Sequence, residues 1–237
     1  YIAPYQVGVS AVYQCSPTQE IVLQVTNNRS GEDEDIYLYG RPDGINKSKF
    51  PIISTLNWNG LFADGTVQLR YALSYCSLAA GKNLMYITAG NIYERGPVLA
   101  YLDVLYAREG LDSHGIITGF QGNSQPVAVT AQNTEYFTLI GNVDYRIHPH
   151  WNVYVKGVYE TARVYKSNGP FEKGSYRTSW NAQACVEYFP MKNSELLIFA
   201  HLLYKGYSLT DRAKSMGGSC ADKQRFSIGL VYSIPVF

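Results

Sequence analysis

From Tyr136 to Ile147 the chain alternates between two unlike rows with a period of two. Phe137, Leu139, Gly141, Val143, Tyr145 and Ile147 form one row. Thr138, Asn142, Asp144 and Arg146 form the other, interrupted by Ile140. Such a period marks an extended strand whose two sides meet different surroundings. After the turn His148-Pro149-His150 the pattern returns: Trp151, Val153, Val155, Gly157 and Tyr159 oppose Asn152, Tyr154, Lys156 and Glu160, interrupted by Val158. It returns again with Trp180, Ala182, Ala184, Val186 and Tyr188 against Arg177, Ser179, Asn181, Gln183 and Glu187. A last strand sets Phe226, Ile228, Leu230, Tyr232 and Ile234 against Arg225, Ser227 and Ser233.

The N-terminal half reads the same way. Strands are predicted around Tyr5–Tyr13, Ile21–Val25, Thr55–Asn59 and Val67–Tyr75, with more apolar ones at Leu84–Ile92, Val98–Ala107 and Leu196–Tyr207. That makes about eleven strands of roughly the ~9–11 residues needed to span a bilayer. No helix of spanning length is present: the longest strongly apolar stretch, Leu196–Tyr204, contains His201. A membrane crossing must then be a closed sheet, because lipid cannot satisfy an open edge.

Composition agrees. The 237 residues include 21 tyrosines but only 16% charged residues. Tyrosine has an apolar body and a polar tip, which suits a membrane–water interface. A formal net charge of +1 lacks the basic excess of a nucleic-acid protein. The expected fold is all-β: an antiparallel transmembrane β-barrel forming a single domain over residues 1–237.

The connections differ in length by end. Short turns are expected at Ser16-Pro17-Thr18, Ala63-Asp64-Gly65, His148-Pro149-His150 and Met191-Lys192-Asn193-Ser194. Long polar loops are expected at 27–51, 108–131, 166–175 and 209–222; the links at 78–82 and 91–97 read as intermediate. This is the asymmetry of bacterial outer-membrane barrels, with short turns toward the periplasm and long loops outside. With Phe237 ending in the periplasm, a count back through eleven strands starts the first one outside. Bacterial barrels have even strand numbers and start in the periplasm, so an odd number of strands is expected before Tyr1. The chain, which opens without a start Met or basic leader, reads as the C-terminal portion of an N-terminally incomplete barrel.

The polar rows supply the candidate pore-lining residues: Arg70, Asp103, Asp144, Arg146, Lys156, Glu160, Arg177, Glu187, His201, Lys205 and Arg225, with Glu20. Both signs are present, so strong anion or cation preference is not expected; such residues shape a polar path for solutes. No covalent chemistry is expected. No serine shares the face of His201, and His148 and His150 lack further metal ligands. Ser113-His114 reads as a solvated loop pair, and Glu32-Asp33-Glu34-Asp35 as a solvated charge run. The four cysteines lack CxxC spacing and read as free thiols. No cofactor, metal or nucleic acid is implied.

Several stretches resemble the phosphate-selective porin O and P family, in its branch of general outer-membrane porins. They are Gln24–Arg29, Tyr39–Lys49, Leu56–Gly60, Glu109-Gly110-Leu111-Asp112 and Glu187–Lys192. The resemblance implies a barrel of about sixteen strands, within a possible twelve to sixteen, often trimeric, in the Gram-negative outer membrane among lipid and lipopolysaccharide. Two departures stand out. The family's lysine ladder and arginine constriction are not matched, so phosphate selectivity is not carried over. Counted back from Phe237, Pro235, Ser233 and Gly229 share its phase, while the apolar residues take the opposite one; a bulge near Pro235 would account for this. The expected function is passive diffusion of small hydrophilic solutes or ions. The alternative is a non-conducting barrel subunit of a larger outer-membrane assembly or uptake machine, favoured by apolar Leu197, Phe199 and Leu203 in the inner phase.

Overall fold

A computed structural model describes residues 7–27, 48, 52–79, 81–112, 114–120, 130–191 and 196–232. Among them run eleven strands: β1 (Gly8–Ser16), β2 (Gln19–Asn27), β3 (Ile52–Phe62), β4 (Val67–Ala79), β5 (Lys82–Arg95), β6 (Val98–Leu111), β7 (Gln132–His148), β8 (Trp151–Val164), β9 (Gly174–Tyr188), β10 (Leu196–Leu209) and β11 (Lys223–Tyr232). A 3-10 turn (Thr118–Phe120) lies between β6 and β7, and a short α-helix, α1 (Asp211–Ser215), precedes β11. The strands form one sheet in sequence order, every neighbour pair antiparallel. β1 and β11 each have one partner, so closure into a barrel is not seen among the described residues.

The two-residue period survives folding because directly opposed residues in an antiparallel ladder share a face. Phe137, Val143, Tyr145 and Ile147 of β7 are exposed, as are Trp151, Val155 and Tyr159 of β8. So are Tyr71, Leu73 and Tyr75 of β4 and Phe226, Ile228, Leu230 and Tyr232 of β11. Large apolar side chains left uncovered over a whole sheet face indicate an apolar medium rather than water. On β7 the apolar row from Phe137 to Ile147 takes ten steps. At ~3.4 Å per residue and a tilt of ~40°, that is a belt about 26 Å tall, close to the outward band of outer-membrane barrels. Aromatic residues mark both rims of this face. Phe62, Tyr93, Tyr145 and Trp151 lie at one end and Tyr75, Tyr106 and Phe137 at the other.

The links expected to be intermediate are tight hairpins. β4 and β5 are separated by two residues, with Gly81 at φ 73°, and β5 and β6 by Gly96-Pro97, with Gly96 at φ 59°. Glycine takes these left-handed angles without a Cβ penalty, so both strands continue through residues that look like loop by polarity. Thus Glu94 and Arg95 pair with Leu99 and Val98. All the long connections fall at one end, and the β4–β5 hairpin is the single tight turn there among the described residues. The acidic run Glu32–Asp35, the loop residues around it and the expected bulge at Pro235 lie outside the described residues. Through Tyr232, β11 keeps the apolar phase opposite to that of Phe237.

The packed core sits on the polar face at the long-loop end. Ala107, Tyr136, Ala162, Val164 and Leu209 from the strands meet Ile117, Phe171 and Ala213 from three different loops. Ile117, Phe171 and Ala213 are fully buried. The loops therefore fold onto the polar face instead of extending away from the sheet.

Candidate functional site: the polar face and its loop-covered end

All eleven residues predicted to line a pore share the face opposite the apolar belt. Across β4, β5 and β6, Arg70, Gly90 and Asp103 stand in one row. A Cβ on Gly90 would sit 3.3 Å from Asp103 Oδ1, so the missing side chain leaves room for the carboxylate to lean toward the arginine strand. Farther along, Asp144, Tyr154, Cys185, His201 and Ser227 are in register. The next row holds Arg146, Asn152, Glu187, Phe199 and Gly229. Another holds Asn142, Lys156, Gln183, Leu203 and Arg225.

Their side chains engage one another locally. Arg177 is paired with Glu160, both side chains 19% exposed. Glu187 accepts from Asn152 Nδ2 at 2.8 Å, and Glu20 from Asn59 Nδ2 at 2.8 Å. Arg146 donates to the Pro149 carbonyl at 3.0 Å and lies 4.5 Å over the Phe189 ring. Lys156 is 5.9 Å from the Tyr101 ring centroid, and Lys205 is 4.9 Å from that of Tyr207. Arg225 donates to Ser227 Oγ at 3.1 Å. His201 lies 6.4 Å from Tyr154 ring to ring, and its Nε2 is buried without a hydrogen-bond partner among the described residues.

Sequence reasoning missed Lys223. It was placed just after a loop, yet β11 begins with it and pairs it directly with Lys205. Lys205, Lys223, Arg225 and Lys156 thus form a basic patch over β8–β11 that the linear sequence scatters. Beside it a cavity of about 560 Å³ opens between Gly115, Gly119, Arg177, Tyr207, Cys220 and Lys223.

The long β6–β7 loop is fastened at its first residues. Of the expected solvated pair, Ser113 lies outside the described residues; the His114 side chain is 55% exposed and also donates from Nδ1 to Glu109 Oε1 at 2.6 Å. Glu109 is fully buried and also accepts from the hydroxyls of Tyr86 at 2.9 Å and Tyr136 at 3.4 Å. Three donors supply the charge compensation a buried carboxylate needs. Three residues on, Asp112 accepts from the backbone N–H groups of Ile116, Ile117 and Thr118 and from the Thr118 hydroxyl. Gly110 lets the strands approach closely: a Cβ there would lie 3.0 Å from the backbone of Lys82 and Asn83, which would have to give way. The Glu109–Asp112 motif is therefore the bend that turns the loop onto the polar face and seats Ile117 in the core.

Electrostatics follow this geometry. The hydrogen bond to Glu109 raises the His114 pKa above its ordinary value, against an opposing effect of burial. Burial pushes the Asp112 carboxyl up, against the pull of its hydrogen bonds to Thr118 and Ile117. In the β10–β11 loop, the Tyr204 hydroxyl holds the Asp222 carboxyl below its usual range. No group of three or more His, Cys, Asp or Glu residues able to hold a metal occurs among the described residues.

Solved structures that resemble this fold include two outer-membrane proteins. One is the outer membrane channel DcaP of Acinetobacter baumannii, with TM-score 0.61, 11% identity, and coverage of 94% of this chain and 60% of that one. The other is a loop L8 deletion mutant of OmpT, an outer membrane protein of Vibrio cholerae, with TM-score 0.56, 11% identity, and coverage of 95% and 62%. The chain thus spans about 60% of the length of the two proteins it resembles. No curated protein matches it. The family match extends over residues 3–234, and on that extent the chain belongs to the phosphate-selective porin O and P family.

Proposed function

We propose that the eleven strands are wall of a single barrel domain through which small hydrophilic solutes or ions diffuse passively into the periplasm. One observation carries this reading: the register gathers every charged candidate on the face opposite a lipid-height apolar belt. In that reading Arg70, Asp103, Asp144, Arg146, Lys156, Glu160, Arg177, Glu187, His201, Lys205 and Arg225 border water in the lumen. They set its local field, and the loops folded onto them set its width. The mixed signs support modest overall selectivity, with the β8–β11 patch locally attractive to anions.

Closure follows from lipid chemistry. β1 and β11 run in the same direction, so they cannot close an antiparallel barrel by pairing with each other. An odd number of further strands satisfies both edges, and five would give the sixteen that the family resemblance implies. The short turns then face the periplasm and the long loops face outside. Homotrimers or contacts with other outer-membrane proteins fit the same setting. The test is planar-bilayer conductance of the full-length protein. Steps of nanosiemens order support the proposal, and silence from folded protein refutes it.

The apolar core at the loop-covered end favours a second reading, a non-conducting barrel subunit of a larger complex. Silence together with stoichiometric co-purifying partners would select it.

A further inference from the structure

Just beyond the rim of the apolar belt, the lipid-facing side carries one charged row. Met85, Arg108, Glu135 and Arg163 stand in register across β5, β6, β7 and β8. The next row toward the belt is Ile87, Tyr106, Phe137 and Thr161. Charge on this face is costly within hydrocarbon, so the row belongs at headgroup level. It is also pre-built. Glu135, whose side chain is 6% exposed, pairs with Arg163 through Nε and accepts from the Tyr106 hydroxyl at 2.6 Å. Arg163 remains 63% exposed, so its guanidinium is not used up by the pairing with Glu135. Arg108 stacks 4.0 Å from the Tyr165 ring, and Lys166 follows within electrostatic reach of Lys82.

Below this row, on the same strands, the lipid-facing wall is hollowed. Gly141 and Gly157 face each other across β7 and β8, and together with Leu102, Val143 and Val155 they line an apolar trough of about 590 Å³. A Cβ on Gly157 would meet nothing within 4 Å, so the trough is open space. Gly141 lies six residues from Glu135, ~20 Å along the strand and ~16 Å along the membrane normal at a ~40° tilt. That depth is within reach of an acyl chain whose headgroup sits at the charged row.

We infer that this outward surface is a binding site for one molecule of an acylated, phosphorylated outer-leaflet glycolipid, lipopolysaccharide. Its phosphate is held by Arg108 and Arg163 and its acyl chain lies in the Gly141–Gly157 trough. Arginine suits the first role because its planar fork matches phosphate oxygens and hydrates weakly. The cations outnumber Glu135, which complements the surface potential of an anionic leaflet. The tight β4–β5 hairpin leaves no long loop above the neighbouring edge of the row. The inference rests on the long-loop end facing outward, not on conduction.

The test is native mass spectrometry of the full-length protein in detergent, titrated with phosphorylated lipid A and with its phosphate-free counterpart. One phosphorylated molecule should bind, with the phosphate-free lipid at least tenfold weaker. R108A/R163A should lose at least tenfold, G157L several-fold, and K205A nothing. Equal binding of the two lipids, or no loss in folded R108A/R163A, overturns the proposal. So does a G157L that dissociates an oligomer while lipid binding is unchanged, since the trough would then belong to a second copy. Modification of Cys220 by a bulky maleimide in intact cells checks the orientation separately; protection there, with Cys15 reactive from the periplasmic side, overturns the assignment to the outer leaflet.

Discussion

Replacing Ile117 with alanine tests whether the buried core fastens the β6–β7 loop to the polar face. Ile117 is fully buried among Ala107, Ala131, Tyr136 and Phe171. The substitution removes three carbons, worth ~2.4 kcal/mol at ~0.8 kcal/mol each, and a residual cavity brings the cost to about 3 kcal/mol. At ~1.4 kcal/mol per factor of ten, the docking equilibrium of the loop should shift about 100-fold toward release. The sheet should not change, because its ladders do not depend on Ile117. In planar bilayers the full-length I117A protein should show larger or noisier conductance steps, with amide exchange accelerated at Ile116–Thr118 and unaltered in β7 and β8. Wild-type conductance together with wild-type exchange at those amides would refute the idea that this core holds the loop.

Three more outcomes follow from the geometry. K205E/K223E turns two paired positive positions negative, so the reversal potential in a salt gradient should move several-fold in permeability ratio toward cations; an unmoved potential would take the patch out of the ion path. The folded state raises the His114 pKa, so its contribution to loop docking is complete below the ordinary value of about 6.5 and is lost as pH rises through the raised one. Protection at Ile116–Thr118, relative to the intrinsic base-catalysed exchange rate at each pH, should therefore fall across that window; Asp112 has the same sign, so H114N should flatten only part of the profile, and an identical profile in H114N would exclude His114. In folded, detergent-solubilised protein, thiol reagents should modify exposed Cys15 and Cys220 and spare buried Cys76 and Cys185, as read by intact mass; ready modification of Cys185 would contradict the packing beside His201.

The strands were legible wherever the two faces differ along their whole length, as in β7 and β8, because lipid and water impose opposite demands on alternate residues. Their ends were less so. Glu94 and Arg95 look like loop, yet continue β5, because glycine-based hairpins allow pairing to run beyond the apolar belt. Lys223 was hidden in the same way by polar neighbours. The Glu109–His114 fastening was illegible for another reason: Tyr86 and Tyr136 reach Glu109 from 23 and 27 residues away, and no local pattern records so distant a pairing. A usable signal did exist in Ala107, Ala162, Val164 and Leu209. These apolar residues occupy the polar phase next to long loops, which is where a loop must find something to pack against. The charged pore candidates needed no such signal, because a strand's period alone assigns them to a face.

That each strand pairs only with its predecessor and successor has a consequence for biogenesis. No connection crosses another, so assembly can proceed by adding one hairpin at a time to a growing border without threading. In the proposed orientation, with insertion from the periplasmic side, the short turns never leave their compartment. The thermodynamic toll of crossing hydrocarbon falls on the connections at the opposite end, and the two-residue β4–β5 hairpin makes the least demanding passage among them.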